Sequence, residues 1–202
     1  ENLIFISAIH KTQNFKLNET SNYKKNIIIA KNVIKLAKKN KIKNIIFFST
    51  IDLNLTQWPI SKKKYILSKQ KTENMLINEY NKGNFKKLIL LRLPAIIGKN
   101  CNDNFLKKLI ENLKKNKKIT LWGQSKIYNN FIHIDKLCEL IYFLLKSKNI
   151  KKKLLECKSS GNSKLIYMVS YAIKKINSKS KVVIKNKRKI KNLKYYRKVK
   201  GF

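Results

Sequence analysis

Short, mostly apolar segments alternate along the first half of the chain with longer segments whose apolar residues recur every three or four positions. Segments of the first kind, at 3–8, 45–48 and 88–93, are typical of strands covered on both faces of a sheet. Segments of the second kind, at 23–40 and 62–80, are typical of helices. Because the two kinds alternate with short connections, the pattern predicts an α/β fold with a parallel sheet.

The pattern changes after Gly98, where short strands stand between helices. We therefore predict a domain boundary there, with 1–98 as one domain and 99–202 as a smaller lobe. Segments of the lobe are expected to return to the main sheet. Helices are predicted in this half at 105–113, 135–145 (capped by Asp135) and 165–176, and strands at 119–121, 131–134, 154–157 and 182–184.

Small or polar residues stand where the predicted strands of the first half end. Ser7 and Ala8 close the first strand, Ser49 and Thr50 close the second, and Pro94 follows the third. Ligands of open parallel sheets bind beyond the carboxyl ends of the strands. These residues therefore predict a binding site at one edge of the sheet.

Tyr65 and Lys69 lie four positions apart in the second predicted helix, on one face and one turn apart. We expect the Lys69 ammonium to lower the pKa of the Tyr65 phenol from its usual value of about 10, so that the phenol exchanges a proton near neutral pH. The Thr50 hydroxyl could bind the same substrate oxygen, whereas strand alternation turns the alternative hydroxyl, Ser49, the other way. Such a group suits hydride transfer to or from a carbon that carries oxygen. In a lysine-rich chain this spacing also arises by chance, so its place after a strand ending in Ser-Thr carries the prediction.

The formal net charge of +38 by itself suggests binding to nucleic acid. Only Arg92, Arg188 and Arg197 among the 48 basic residues are arginine, whereas phosphate recognition favours the two-pronged guanidinium. Lysine, asparagine and isoleucine are abundant together, as AT-rich codons would produce. We therefore expect no specific nucleic-acid partner, only loose and salt-sensitive adhesion.

The cysteines and histidines do not predict a metal site. Cys101, Cys138 and Cys157 lack Cys-x-x-Cys spacing, and His10 and His133 are far apart. We expect reduced thiols in a cytoplasmic protein. No apolar stretch approaches the roughly 20 residues that a membrane span needs.

Several motifs, taken jointly, resemble those of a known family. They are Asn26 with Asn32 in the first helix, the strand 44–50 ending in Ser-Thr, Tyr65, Lys69 and Glu73 in Tyr-x-x-x-Lys-x-x-x-Glu, Arg92, Pro94 and Gly98 in Arg-x-Pro-x-x-x-Gly, Asn104 before Phe105, and Phe131 to Asp135. Their order resembles the extended short-chain dehydrogenase/reductase family of NAD(P)-dependent nucleotide-sugar epimerases, dehydratases and reductases.

The resemblance implies a role for each matching residue. Tyr65 would be the general acid/base, Lys69 its pKa tuner and a cofactor ribose ligand, and Thr50 a hydroxyl that orients the substrate. Asn104 would also contact the substrate. The implied neighbours of the NAD or NADP cofactor are, besides Tyr65 and Lys69, Ser7, Ala8, Asn26, Pro94 and Ile96. Asn26 is equally suited to helix capping, and Glu73 to pairing with a lysine on the helix surface.

The resemblance also implies a Rossmann-like sheet in 1–98, a partial dinucleotide-binding domain, and a substrate lobe in 99–202. A homodimer is compatible with it. The chain departs from the family in lacking a Gly-x-x-Gly-x-x-Gly turn, so we expect it to be truncated at its N-terminus. The expected activity is that of an oxidoreductase or epimerase on a sugar or nucleotide-sugar hydroxyl or ketone. The alternative is a non-catalytic relic, a basic binding protein on the same fold.

Overall fold

The computed structural model describes residues 1–6, 19–55, 57–101, 104–122, 127–159 and 164–185. Ser7 and Ala8, two of the residues expected near the cofactor, lie outside these ranges. The elements are β1 (Asn2–Phe5), α1 (Glu19–Lys39), β2 (Asn44–Thr50), α2 (Lys63–Asn81), β3 (Lys87–Leu93), β4 (Ala95–Ile97), α3 (Phe105–Lys114), β5 (Ile119–Trp122), β6 (Phe131–His133), α4 (Ile134–Lys146), β7 (Lys152–Glu156), α5 (Leu165–Ile176) and β8 (Val182–Lys185).

The main sheet has four parallel strands in the order β1-β2-β3-β7. The apolar strand β2 lies in its interior, where Ile45 to Thr50 are all buried. Continuous apolar runs of this kind are what a strand covered on both faces requires. The predicted α/β class with a parallel sheet is confirmed.

The described residues divide into two compact units. The first contains Glu1–Pro94 and Glu139–Cys157, and the second contains Ala95–Cys138 and, after it, 158–185. The division falls four residues before the predicted boundary, and β7 pairs with β3 in the main sheet. The assignment of a cofactor role to one part and a substrate role to the other stays a prediction.

Each unit has its own apolar core. In the first, α1 and α2 pack on the sheet through buried residues such as Ala30, Ile34, Phe47 and Leu76. The core of the second unit joins α3, β5 and α5, with Leu113 and Val169 fully buried. Helices that cover a sheet in this way leave its strand ends open for a ligand.

Two local predictions are corrected. The segment after Pro94 forms a short strand, β4, which pairs with β6 and was not predicted. Asp135 lies in the first turn of α4 and does not precede that helix as a cap. Its backbone N–H bonds Nδ1 of His133 at 3.3 Å, so the histidine of the preceding strand satisfies one of the free amides of the first turn.

Candidate active site

The carboxyl end of β2 places Thr50 at the start of a short 3-10 helix, Ile51–Asn54, which we call the 51–54 turn. Thr50 is extended and buried, and its Oγ1 accepts a hydrogen bond from the Asp52 N–H at 3.3 Å. The turn begins at Thr50 because this hydroxyl satisfies an amide that has no partner within the turn. Thr50 therefore stands where predicted, with its side chain holding the turn.

Tyr65 and Lys69 lie on successive turns of α2, as predicted, with the Lys69 ammonium 5.9 Å from the centre of the Tyr65 ring. Lys69 is only 4% exposed. Its Nζ donates to the carbonyl oxygen of Phe48 at 2.6 Å and lies 4.8 Å from the centre of the Phe47 ring. The Lys69 amine on α2 therefore contacts β2 at Phe48, two residues before Thr50.

The predicted direction of the Tyr65 pKa shift is wrong. Burial, with a smaller contribution from the carboxylate of Asp52, raises the pKa of Tyr65 to about 12. Burial also lowers the pKa of Lys69 to about 8, an effect that Glu73 partly opposes. Loss of hydration disfavours the charged form of both side chains and is the larger cause of both shifts. The phenol is therefore protonated and the amine easily deprotonated.

Glu73, one turn beyond Lys69, is buried and pairs with Arg92 of β3. The guanidinium donates from Nε to Oε1 at 3.1 Å and from Nη2 to Oε2 at 2.7 Å, a two-pronged ion pair. The third guanidinium nitrogen, Nη1, donates to Oδ1 of Asn54 at 2.8 Å. The expectation of a surface pairing between Glu73 and a lysine is wrong, because β3 carries an arginine opposite this turn of α2.

Asn26 lies inside α1, seven residues after its start, and is buried. Its Nδ2 donates to Oγ of Ser68 at 3.3 Å, and that hydroxyl donates to the carbonyl oxygen of Tyr65 at 2.7 Å. The helix-capping alternative is therefore wrong for Asn26. The residue connects α1 to the turn of α2 that carries Tyr65, while its contact with a cofactor stays a prediction.

Pro94 directly follows Leu93, the register partner of Thr50 in the sheet. Ile96 and Asn104 belong to the second unit, where Nδ2 of Asn104 donates to the carbonyl oxygen of Ile96 at 3.3 Å. Oδ1 of Asn104 accepts from the Lys107 N–H at 3.0 Å and caps α3. The roles of these three residues toward cofactor and substrate stay predictions.

Asp52 and Asn54 were not predicted as site residues from the sequence, and Arg92 was given no function of its own. Asp52 pairs with Lys62 at 3.2 Å and acts on Tyr65, and Asn54 binds Arg92. A signal was present, because Arg92 is the only arginine in the described ranges of a chain rich in lysine. An arginine in that background indicates a site that needs more than one nitrogen.

The described residues offer neither a metal site nor a membrane span. No three His, Cys, Asp or Glu side chains among them are grouped to hold a metal ion. None of the described helices is both long and apolar enough to cross a bilayer.

The parallel sheet, with a Tyr–Lys pair beside the end of its second described strand, defines a Rossmann-like α/β protein. Residues 4–155 match the model of the NAD dependent epimerase/dehydratase family. The chain belongs to that family. It matches no curated protein sequence at a significant level.

Solved structures of similar fold cover most of this chain. UDP-N-acetylglucosamine 4-epimerase from Bacillus cereus superimposes with a TM-score of 0.73 at 17% identity, over 92% of this chain and 65% of its own. UDP-glucose 4-epimerase from Thermotoga maritima, in complex with UDP-glucose, superimposes with a TM-score of 0.72 at 16% identity, over 94% of this chain and 65% of its own. The complex of Thermus thermophilus UDP-glucose 4-epimerase with NAD superimposes with a TM-score of 0.69 at 13% identity, over 93% of this chain and 65% of its own. The chain thus spans about two thirds of the length of these proteins.

Proposed function

We propose that this chain carries the acid–base site of an NAD(P)-dependent epimerase, dehydratase or reductase that acts on a sugar or nucleotide-sugar hydroxyl or ketone. Membership of the family supports the reaction class. The Bacillus, Thermotoga and Thermus structures of the same fold support a nucleotide sugar as substrate and NAD as cofactor.

One observation carries the proposal. The Lys69 amine is buried beside Tyr65 and bonded to Phe48, close to the end of β2 that carries Thr50. Burying an amine costs free energy, and a role in the reaction would account for that cost. Perturbed side chains that cluster at the carboxyl end of a parallel strand are typical of functional sites.

The residues present fit part of a nicotinamide dinucleotide. Lys69 and Tyr65 would hold the ribose next to the nicotinamide, and Asn26 would fix the turn of α2 that presents them. The glycine-rich turn that grips a pyrophosphate is missing from the sequence. When bound, the nicotinamide supplies a hydride acceptor or donor.

The protein side of the reaction is proton transfer at the Tyr65 hydroxyl. Burial raises the pKa of this phenol to about 12, so it is protonated at neutral pH and has a proton to give to a substrate oxygen. A pKa nearer neutrality would make that donation more efficient, so the bound substrate and cofactor would have to lower it. Acceptance of a proton in the reverse direction needs the positive charge of Lys69 nearby. Thr50 would bind the same substrate oxygen.

The proposal is tested with the protein in its natural length, incubated with NAD and either UDP-glucose or UDP-N-acetylglucosamine as probes. New sugar products are followed by NMR, and reduced nicotinamide by its near-ultraviolet absorbance. Lys69→Met should lower turnover at least a hundredfold. Lys71→Met, which removes an exposed lysine from the same helix, is the matched control and should leave turnover unchanged. Equal turnover by Lys69→Met and the wild type would refute the assignment.

A second candidate, a basic binding protein without catalysis, is favoured by the net charge of +38 and by the exposed face of α5. Tyr167 and Tyr171 are each 64% exposed, and the ammonium groups of Lys164 and Lys175 lie 5.8 and 5.7 Å from their ring centres. Exposed aromatic rings with lysines suit stacking on single-stranded nucleic acid. Binding of a short RNA that falls steeply with salt and is halved or more in Tyr167→Ala, in a protein without turnover, would favour this candidate.

A further inference from the structure

We infer that Arg92 is a positioning residue for Lys69. By holding the Glu73 carboxylate, it keeps Lys69 from pairing with that carboxylate along its own helix, and it leaves the amine on the Phe48 carbonyl. The inference deepens the proposed function and rests on it only for the role of Lys69 in the reaction.

The spacing on α2 would ordinarily join Lys69 to Glu73. Side chains four positions apart on a helix face each other, and oppositely charged pairs at this spacing attract. In this structure both Glu73 oxygens are taken by Arg92, at 3.1 and 2.7 Å. The ammonium of Lys69 instead donates to a neutral carbonyl on β2, at 2.6 Å.

The choice of partner sets the chemistry of the amine. A lysine paired with a carboxylate holds its proton firmly, whereas one buried against a neutral carbonyl gives it up more easily. Glu73 still acts on Lys69, since its charge opposes part of the effect of burial, but it is shared with an arginine. Arg92 therefore acts on Lys69 through Glu73.

The same guanidinium reaches the 51–54 turn. Its third nitrogen donates to Asn54 at 2.8 Å, so one side chain of β3 connects α2 with the segment that follows Thr50. A lysine at this position would offer a single nitrogen to three oxygens. Among the described residues, two titratable groups act on Lys69 or lie beside it: Glu73 through its charge, and Tyr65 with its ring centre 5.9 Å from the ammonium. Asp52 acts on Tyr65, and Arg92 bonds Glu73.

The test reads the reactivity of the Lys69 amine without any cofactor or substrate. The protein is labelled briefly with an amine reagent at pH values from 6 to 11, and the labelled peptide is quantified by mass spectrometry. Half-maximal reactivity of Lys69 is expected near pH 8. In Arg92→Gln, which removes the charge but keeps one amide for Glu73, the midpoint should rise by at least one pH unit. For a shift of one unit, the deprotonated fraction at pH 8 falls from about one half to about one eleventh, so reactivity at pH 8 should fall at least about fivefold.

The double variant Arg92→Gln, Glu73→Gln separates the two routes by which Arg92 could act. In Arg92→Gln the buried Glu73 carboxylate loses its charged partner, which could prevent folding. The double variant removes that carboxylate as well, so the test can still be made if the single variant does not fold. A midpoint within about half a unit of the wild type supports action through Glu73. An unshifted midpoint in folded Arg92→Gln, or a double variant shifted upward like the single one, overturns the inference. Glu79→Gln, which breaks the Lys38–Glu79 pair between α1 and α2, is the control and should leave Lys69 unchanged.

Turnover plays no part in this test, so its result is independent of the proposed function. A protein without epimerase or reductase activity in which Arg92→Gln still shifts Lys69 would keep the inference about Arg92 and reject the proposed function. An active protein in which Arg92→Gln leaves Lys69 unchanged would do the reverse.

Discussion

Residues expected to act on cofactor or substrate lie in helix α2 and at the start of helix α3, but they have different structural roles in the two places. In α3, Asn104 caps the helix, and its amide also bonds to the Ile96 carbonyl. In α2 no side chain caps the helix, and three of its polar residues with hydrogen bonds, Lys69, Thr72 and Glu73, are buried. Folding explains the asparagine of α3. In α2 an ion pair with Arg92 accounts for the buried glutamate, but among the described residues the buried lysine is bonded only to a neutral carbonyl.

The difference teaches which predictions need a functional reason. A cap satisfies backbone groups that every helix leaves free, so a match to a motif at that position has a structural cause. A buried charge costs free energy unless it is paired, and apolar residues would fill the same space more cheaply. The buried charges of α2 are therefore the stronger indication of a site.

The largest expected effect is on the buried ion pair. Glu73→Ala leaves Arg92 with an uncompensated charge, and it should lower the free energy of unfolding by about 3 kcal/mol. Glu79→Ala on the same helix removes an exposed pair and should cost under about 1 kcal/mol. Urea unfolding of both variants measures the contrast. Equal costs would mean that the burial of α2 charges has no energetic consequence.

The pH dependence of stability should show the burial of Lys69. Its pKa is about 8 in the folded chain and 10.5 ordinarily, so the unfolded chain binds the proton more tightly between these values. The wild type should therefore gain stability relative to Lys69→Met as pH rises from 8 to 10.5, by on the order of 2 kcal/mol. Chemical unfolding at four pH values checks this. A difference that is constant with pH, or that falls, would contradict the assigned pKa.

A smaller effect is expected at the helix cap of α3. Asn104→Ala removes the bond to the Lys107 N–H and should cost about 1 kcal/mol. Asn104→Asp keeps an acceptor for that N–H and should recover most of the loss. Thermal unfolding of the two variants compares them. If both variants are as stable as the wild type while substrate binding is lost, Asn104 acts on the substrate and its capping has little weight.

The smallest effect concerns Ser49, the alternative hydroxyl at the end of β2. It is buried, and its Oγ has no hydrogen-bond partner among the described residues. Ser49→Ala should leave stability unchanged or raise it slightly, because an unsatisfied buried hydroxyl is removed. Turnover should also persist, whereas Thr50→Ala should reduce it. Loss of turnover in Ser49→Ala would transfer the substrate-orienting role from Thr50 to Ser49.

Much of the fold could be predicted because hydrophobic periodicity reports burial directly. The central residues of β2 and β3, 45–48 and 88–91, are apolar and lie inside the sheet, and the predicted helix 165–176 has the observed bounds. The short strand β4 was missed because three half-buried residues after a proline give no periodicity. Its structure comes from pairing with β6, a partner distant in sequence.

The candidate site could be predicted in position more than in chemistry. Spacing placed Tyr65 and Lys69 on one face of a helix, because helix geometry is local. The pKa direction of Tyr65 was wrong because it depends on how deeply the chain buries the phenol and on Asp52, thirteen residues earlier. The pairing of Arg92 with Glu73 and Asn54 depends on how β3 is aligned with β2 and α2, so it could not be predicted from the sequence either.

The most direct test of the account replaces the phenol alone. Turnover of UDP-glucose or UDP-N-acetylglucosamine with NAD is compared between the wild type, Tyr65→Phe and Tyr80→Phe, a second tyrosine of α2 whose ring lies 5.4 Å from a lysine ammonium. The account predicts that Tyr65→Phe stays folded and loses at least a hundredfold in kcat, while Tyr80→Phe keeps wild-type turnover. Turnover by Tyr65→Phe within a few-fold of the wild type would contradict it.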